Sequence, residues 1–160
     1  MKISLFAVGR MKAGPERELA GRYFDRLAKA GPAIGLEFSG VSEHAESRAQ
    51  SASQRKAEEA RKLEETLAPG AMLILLDERG KNLTSEDFAA HLGRLRDEGC
   101  PQVTFAIGGP DGHDETLREK ASLVLSFGKL TWPHQIVRVM AAEQLYRAAT
   151  ILSGHPYHRA

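Results

Sequence analysis

The stretch VTFAIGGPDGHDETLREKASLVLSFGKLTWPH, residues 103–134, decides the fold. Two apolar runs lie in it, at 103–107 and 123–127, and each leads directly into a loop rich in glycine and proline. Short apolar runs bounded by such loops are typical of buried strands. Because the carboxyl ends of parallel strands meet at one edge of a sheet, where ligands bind, the two loops predict a ligand pocket.

Outside this stretch, apolar runs alternate with helical patterns along the whole chain. Further strands are expected at 3–8, 34–41 and 71–76, with a charged loop at 77–81. Helices are expected at 15–30, 56–67, 84–98, 114–120 and 134–152, and residues 42–55 are either a flexible loop or the loosely packed start of the second helix. This alternation predicts a single α/β domain over residues 1–160, with a mainly parallel sheet flanked by helices on both faces.

The composition narrows the class of protein. Of 160 residues, 42% are hydrophobic and 27% are charged, which is ordinary for a soluble globular domain. The net charge of +1 shows no overall excess of basic residues for nucleic-acid binding. It does not exclude such binding, because a local basic face is sufficient for it. The single cysteine, Cys100, excludes an intrachain disulfide and fits a reducing compartment, and no apolar run approaches the roughly 18 residues that span a bilayer. We therefore expect a cytoplasmic protein without membrane contact.

The first loop, GGPDG at 108–112, matches neither the dinucleotide-binding fingerprint nor a P-loop. Its glycines either let a ligand approach the backbone or simply form a tight turn. Three carboxylates lie within or just after it, at Asp111, Asp114 and Glu115. They repel anions and tolerate a cation such as the sulfonium of S-adenosylmethionine, unless they only cap the next helix.

The second loop, residues 127–133, offers another wall for the same pocket. Gly128 permits unusual backbone angles, Thr131 carries a hydroxyl, and Leu130 and Trp132 can flank an adenine. The alternative is an ordinary strand–helix connection with Trp132 buried in the core. Two such loops at neighbouring strand ends favour the pocket.

The chain ends on HPYHR at 155–159, which is unusual for a terminus. Its two histidines lack a third nearby ligand, and Pro156 prevents a regular helix from aligning them, so we expect no metal. One interpretation is a disordered tail. The other is contact with an unstacked RNA base and its phosphates, for which aromatic, imidazole and guanidinium groups are suited.

The helix expected at 134–152 carries apolar residues on more than one side. This width indicates packing in the core or at a subunit interface. The isolated histidines His44, His91 and His113 are expected at the surface.

Several motifs together are similar to those of one bacterial family. They are Leu76-Asp77 with Gly80-Lys81, IGGPDG at 107–112, Leu130-Thr131 with Pro133-His134, Val137-Arg138, and the terminal HPYHR. On these motifs the chain resembles the RlmH-type methyltransferases of large-subunit ribosomal RNA, which belong to the SPOUT class. The resemblance covers the whole chain, is strongest from residue 71 onward and is thin between residues 39 and 69.

The resemblance implies a trefoil knot within residues 71–160, a homodimer, and S-adenosylmethionine as the cofactor. It places the cofactor at Leu76, Gly109, Gly128, Lys129, Leu130, Thr131, Trp132 and Pro133. His155 and Arg159 of the tail are implied to contact RNA across the dimer interface. The implied reaction is methylation of N3 of a pseudouridine in 23S ribosomal RNA, on the assembled ribosome and without a metal.

For this reaction we expect three catalytic side chains. His158 is the candidate base for the N3 proton, Tyr157 stacks on or orients the uracil, and Arg138 holds the RNA backbone or offsets charge on the uracil oxygens. Two alternatives stay open. The protein acts on another RNA such as transfer RNA, or it is a non-enzymatic module that binds the ribosome.

Overall fold

A computed structural model of the protein describes residues 1–159. Its strands are β1 (Lys2–Val8), β2 (Glu37–His44), β3 (Met72–Lys81), β4 (Gln102–Ile107) and β5 (Leu123–Leu125). They form one sheet in the order β2-β1-β4-β3-β5, and every neighbouring pair is parallel. The predicted parallel α/β sheet is confirmed.

Helices alternate with these strands. They are α1 (Pro15–Ala30), α2 (Ala52–Thr66), α3 (Ser85–Asp97), α4 (Glu115–Lys120) and α5 (His134–Ser153). On one face of the sheet α1, α3 and α5 pack around Leu27, Leu92 and Leu145, and on the other face α2 and α4 pack around Leu63 and Leu117. Both faces are covered, as predicted. Within residues 1–159, no helix combines the length and the apolar character needed to cross a membrane.

Side-chain caps explain where several helices begin. The hydroxyl of Thr84 accepts a hydrogen bond from the amide of Asp87 at 3.0 Å, and the carboxylate of Asp114 caps α4 in the same manner. Such caps satisfy amides that have no partner inside the helix. Ser51 caps α2, so this helix begins at Ala52, inside the stretch 42–55 for which both a loop and a helix start were possible.

The start of β2 differs from the prediction. Residues Pro32–Ile34 form a short 3-10 helix that ends on Gly35, whose φ is 74°. The chain can enter the sheet only after this turn, so β2 begins at Glu37 rather than at residue 34. Glu37 and the next residues then pair in parallel with β1.

Beyond Leu76, where the sequence predicts a loop, β3 continues to Lys81, which pairs with Leu125 of β5. Gly80 lies directly against β5. A β-carbon on Gly80 would lie 2.6 Å from the carbonyl carbon of Leu125 and 2.7 Å from the carbonyl oxygen of Val124. The two segments therefore lie in backbone contact at this point, where only glycine fits. The trefoil knot stays a prediction.

Candidate active site

The carboxyl ends of β3, β4 and β5 surround a cavity of about 520 Å³. The first loop forms one wall, the second loop and the start of α5 form another, and Lys56 of α2 contributes a cation. Of the residues expected to hold the cofactor, the lining includes Leu76, Gly109, Gly128, Leu130, Thr131 and Trp132. Lys129 and Pro133 lie outside it. A cavity is therefore present where the two loops predict a pocket.

Gly109 lies where the first loop contacts the body of the protein. A β-carbon there would be 3.0 Å from Oε2 of Glu59 and 3.1 Å from Cγ1 of Val8. Glu59 is buried and accepts a hydrogen bond from the amide of Ser47 at 2.9 Å, so its carboxylate is held in place. A larger residue at position 109 would push the loop away from β1 and α2.

The carboxylates of the first loop already have partners. Asp111 accepts hydrogen bonds from Nε and Nη2 of Arg55 at 2.6 and 3.1 Å, and these bonds lower the pKa of Asp111. Asp114 caps α4, and Glu115 is exposed with an oxygen 3.5 Å from Nε of Arg118. Arg55 therefore neutralises Asp111, and Asp114 takes the helix-capping role that the sequence left open, so the acidic field of this loop is weaker than the three carboxylates alone suggest.

His113 is buried beside the cavity, although a surface position was predicted for it. Its Nε2 donates a hydrogen bond to the main-chain oxygen of Leu76 at 3.2 Å. Burial lowers the pKa of His113, and the nearby Asp77 carboxylate opposes the shift only in part. A neutral ring thus ties the β4–α4 loop to the end of β3. The position of His113 between the glycine-rich turn and the helix cap Asp114 is the sequence signal that could have predicted its burial. His44 and His91, also expected at the surface, are half-buried.

The second loop exposes backbone and apolar side chains beside the cavity. The amide of Gly128 donates to Oγ of Ser126 at 3.1 Å, and that hydroxyl donates to the Gly128 oxygen at 3.0 Å. Gly128 has a φ of 122°, and apart from its neighbours in the chain no atom lies within 4 Å of where its β-carbon would be. Leu130 is 72% exposed and Trp132 38% exposed, so the interpretation of Trp132 as a core residue is wrong.

Asp77 fixes the end of β3 next to the cavity. Its side chain is only 6% exposed, and its carboxylate lies 2.6 Å from Nη1 of Arg118 and accepts from the amide of Arg79 at 2.8 Å. Burial alone would raise the pKa of Asp77, but the hydrogen bonds from the two arginines outweigh it and the pKa is lowered. The ion pair between Asp77 and Arg118 joins β3 to α4, and it neutralises the negative charge of Asp77 on the cavity wall.

Arg138 does not line the cavity. Its buried guanidinium donates to the carboxylate of Glu43 and to the main-chain oxygen of Gly9. Glu43 also accepts from the amide of Met11 at 2.7 Å. Burial acts to raise the pKa of Glu43, yet the bonds from Met11 and Arg138 lower it overall. The structure places this predicted catalytic residue in an ion pair that joins α5 to the ends of β1 and β2.

The tail, residues 155–159, folds back onto α3 and α5. Nε2 of His158 lies 2.7 Å from Oε1 of Glu86, and the hydroxyl of Tyr157 donates to Glu143 at 3.0 Å. No tail residue lines the cavity of its own chain. The structure therefore does not bring the tail residues expected to act in catalysis together with the residues expected to hold the cofactor.

The remaining tail residues face outward. His155 and Arg159, expected to contact RNA, are both exposed. The two histidines have separate partners, since Nδ1 of His155 accepts from the amide of Tyr157 at 3.1 Å. Among residues 1–159, no group of three or more His, Cys, Asp or Glu side chains is placed to hold a metal ion.

A parallel sheet with two glycine-rich loops around one cavity at its carboxyl edge is an architecture that methyltransferases use among other α/β enzymes. Comparison with known families narrows the class. Residues 1–158 match the family model described as Predicted SPOUT methyltransferase. The chain belongs to this family, which confirms the resemblance seen in the sequence motifs.

Similar proteins span the full length of the chain. It is 69% identical to a Ribosomal RNA large subunit methyltransferase H of Brucella anthropi, over 99% of both chains. It is 67% identical to the protein of that name from Mesorhizobium japonicum, over 100% of both chains. A solved structure of a probable methyltransferase from Bordetella pertussis shares the fold, with a TM-score of 0.51 at 17% identity over 92% of this chain and 95% of that one.

Proposed function

We propose that the protein uses S-adenosylmethionine to methylate N3 of a pseudouridine in 23S ribosomal RNA, with the assembled ribosome as substrate. The observation that carries this proposal is a cavity at the ends of β3, β4 and β5 in a chain whose full-length relatives are named Ribosomal RNA large subunit methyltransferase H. The choice of N3 and of the assembled ribosome follows from the resemblance to the RlmH-type enzymes. Action on ribosomes would also explain a net charge of only +1, since a ribosome offers shape as well as phosphate.

The residues around the cavity fit S-adenosylmethionine. A volume of about 520 Å³ is within the range of small-molecule sites. Leu76 and Val137 line it with apolar groups, Trp132 offers an aromatic face, and the space beside Gly128 lets a ligand approach the backbone. Lys56 is half-buried on the wall and, among the described residues, forms no ion pair, which suits the carboxylate of the cofactor. When bound, the cofactor supplies a methyl group on a positively charged sulfur.

The contribution of the chain to this reaction is positional. His113 holds the first loop to β3, Ser126 holds the second loop in its turn, and Asp77 fixes the strand end between them. Ligands therefore meet walls that are already in place. Holding reacting groups in line can supply roughly 7–11 kcal/mol of a reaction barrier, so no metal is required for substantial catalysis.

The proposed active form is a homodimer. The tail lies away from the cavity of its own chain, whereas Leu130, Trp132 and Ile136 expose apolar surface at or next to the cavity rim. A second copy that covers this surface can bring its tail to the cavity. Analytical ultracentrifugation should give twice the 17.5 kDa chain mass; a fully active monomer would contradict the proposal.

The experiment that tests the function is methyl transfer from labelled S-adenosylmethionine to assembled ribosomes, free large-subunit RNA and transfer RNA, with the product nucleoside mapped. We expect label on N3 of a pseudouridine, with ribosomes as the best substrate. A cytoplasmic location is part of the proposal, because the proposed substrate is the ribosome. Label only on transfer RNA would overturn the substrate. Absence of label on every RNA, with a folded dimer that binds the cofactor, would favour the non-enzymatic ribosome-binding module.

A further inference from the structure

A network of side chains fixes the C-terminal tail to the helix before it. Glu143 of α5 accepts hydrogen bonds from Nε of Arg147 at 2.9 Å and from the hydroxyl of Tyr157 at 3.0 Å. The guanidinium of Arg147 also lies 4.9 Å from the centre of the Tyr157 ring, and the Tyr146 ring lies 4.9 Å from it. Tyr157 is thus held by its hydroxyl and by its ring.

His158 extends the network to α3. Nη1 of Arg147 lies 3.2 Å from Nδ1 of His158, and Nε2 of His158 lies 2.7 Å from Oε1 of Glu86. A guanidinium only donates hydrogen bonds, so Nδ1 is the acceptor and Nε2 carries the proton donated to Glu86. The His158 side chain is 16% exposed. Both ring nitrogens are occupied, and His158 has no free lone pair for the proton of a substrate.

We propose that Glu143, Arg147 and Glu86 are positioning residues that hold the tail in one place for the reaction, and that His158 serves as a spacer in this network and not as the general base. The inference rests on the proposed function, because it concerns the same methyl transfer. It changes the role of His158 predicted from the sequence.

The charged groups of the network are partly buried, and this explains why they hold the tail firmly against α5. Arg147 faces Glu143 on its own helix, His158 and Tyr157 on the tail, and Tyr23 on α1. The Glu143 side chain is 16% exposed and that of Arg147 is 25% exposed, so water competes poorly for their hydrogen bonds. Because the tail is already ordered before RNA arrives, binding does not have to order it, and His155 and Arg159 are presented at a defined place.

Replacement of Arg147 by Lys tests the geometry and keeps the charge. A single ammonium cannot replace three separate guanidinium contacts to Glu143 and His158. We expect Arg147→Lys to lower kcat on ribosomes by at least ~10-fold, since misplacing a positioned group by about 1 Å can cost ~100-fold. The Kd for S-adenosylmethionine and the dimer mass should be unchanged. Glu86→Gln should lower kcat less than Arg147→Lys does, because the amide oxygen of glutamine still accepts a hydrogen bond from His158.

A readout without catalysis keeps failure of the inference separate from failure of the proposed function. Burial, together with the nearby Tyr23 and the hydrogen bond to Glu143, raises the pKa of Tyr157. The difference in tyrosinate absorbance between each protein and its Tyr157→Phe counterpart isolates this titration. Glu143→Gln removes a negative charge next to the hydroxyl, so the pKa of Tyr157 should fall toward its ordinary value. Arg61→Lys, on the exposed side of α2, is the matched control and should change neither readout.

The possible results distinguish failure of the positioning role from failure of the proposed function. Wild-type kcat and KM in Arg147→Lys would overturn the positioning role, as would losses that only follow a lower Tm or a dissociated dimer. Retention of full kcat in Glu143→Gln, with the pKa of Tyr157 lowered, would also overturn it. If wild-type protein methylates no RNA, the proposed function fails while the tyrosine titration still reports whether the tail is fixed.

Discussion

Nε2 of His113 donates a hydrogen bond to the main-chain oxygen of Leu76 across 3.2 Å, and this contact joins two walls of the cavity. One wall belongs to the loop after β4 and the other to the end of β3. Burial disfavours the charged form of this imidazole, and its Nε2 carries the proton that is donated to Leu76. The cavity therefore depends on a titratable side chain that does not contact the tail.

The first prediction concerns pH. Burial lowers the pKa of His113 in the folded protein from its ordinary value of 6.5. Below about pH 6.5 the unfolded chain takes up a proton that the folded protein resists, so the free energy of unfolding should fall as the pH falls. His113→Gln keeps an amide donor for Leu76 and removes the titration. Between pH 7.5 and 5, the stability of this variant should fall less steeply than that of the wild type, as measured by urea unfolding. Parallel curves would refute the assignment.

The second prediction uses the only tryptophan of the chain. Trp132 lines the cavity and is 38% exposed, so its intrinsic fluorescence reports directly on ligand entry. Addition of S-adenosylmethionine should change the emission with saturation, whereas NAD and ATP should leave it unchanged. Trp132→Ala should weaken cofactor binding measured by calorimetry by several-fold with little change in Tm, because the side chain is not in the core. Unaltered binding in this variant would remove Trp132 from the cofactor site.

The third prediction concerns the close backbone contact between Gly80 of β3 and the residues of β5. Gly80→Ala places a β-carbon 2.6 Å from the backbone of Leu125, which neither strand can accommodate without moving. We expect a loss of about 3 kcal/mol or more in the free energy of unfolding, at or beyond the upper end for overpacked sites. The measurement is equilibrium unfolding in urea, or soluble yield if the variant does not fold.

Gly21→Ala is the control for this substitution. Gly21 lies inside α1, and apart from the backbone of its own helix no atom lies within 4 Å of where its β-carbon would be. Alanine there should raise stability by roughly 0.5–1 kcal/mol, since glycine is a poor helix residue. Equal effects at positions 80 and 21 would mean that the contact between Gly80 and β5 tolerates a side chain.

Local patterns in the sequence were sufficient for much of the fold. Apolar runs located the strands, and the helices expected from residues 84 and 114 do begin next to the caps Thr84 and Asp114, because these features depend on neighbours within a few residues. The same locality explains the errors. Nothing near Lys81 indicates that it pairs with Leu125 of another strand, and that contact extends β3. Such pairing is determined by the whole sheet.

The site shows the same division between local and distant causes. The two glycine-rich loops and their neighbouring strand ends were readable, and most of the residues expected to hold a cofactor do line the cavity. The partners of the charged groups could not be predicted from the sequence. Asp111 pairs with Arg55 from 56 positions away, and a sequence pattern cannot show that this acid is neutralised. His113 was misjudged for a similar reason, since its burial depends on β3.

The last prediction separates a structural from an RNA-binding role for Arg138. The guanidinium is buried against Glu43, so Arg138→Ala leaves that carboxylate without its cation and should cost about 3 kcal/mol of stability. Glu43→Ala removes the other partner and should also lower Tm. If the ion pair is the main role of Arg138, both variants should lose methyl transfer only at temperatures where they begin to unfold. At a temperature where the wild type and both variants stay folded, kcat and KM for ribosomes should be close to the wild-type values in both variants. A raised KM in Arg138→Ala alone would instead show that this arginine contacts RNA, and that the ion pair with Glu43 opens when the substrate binds.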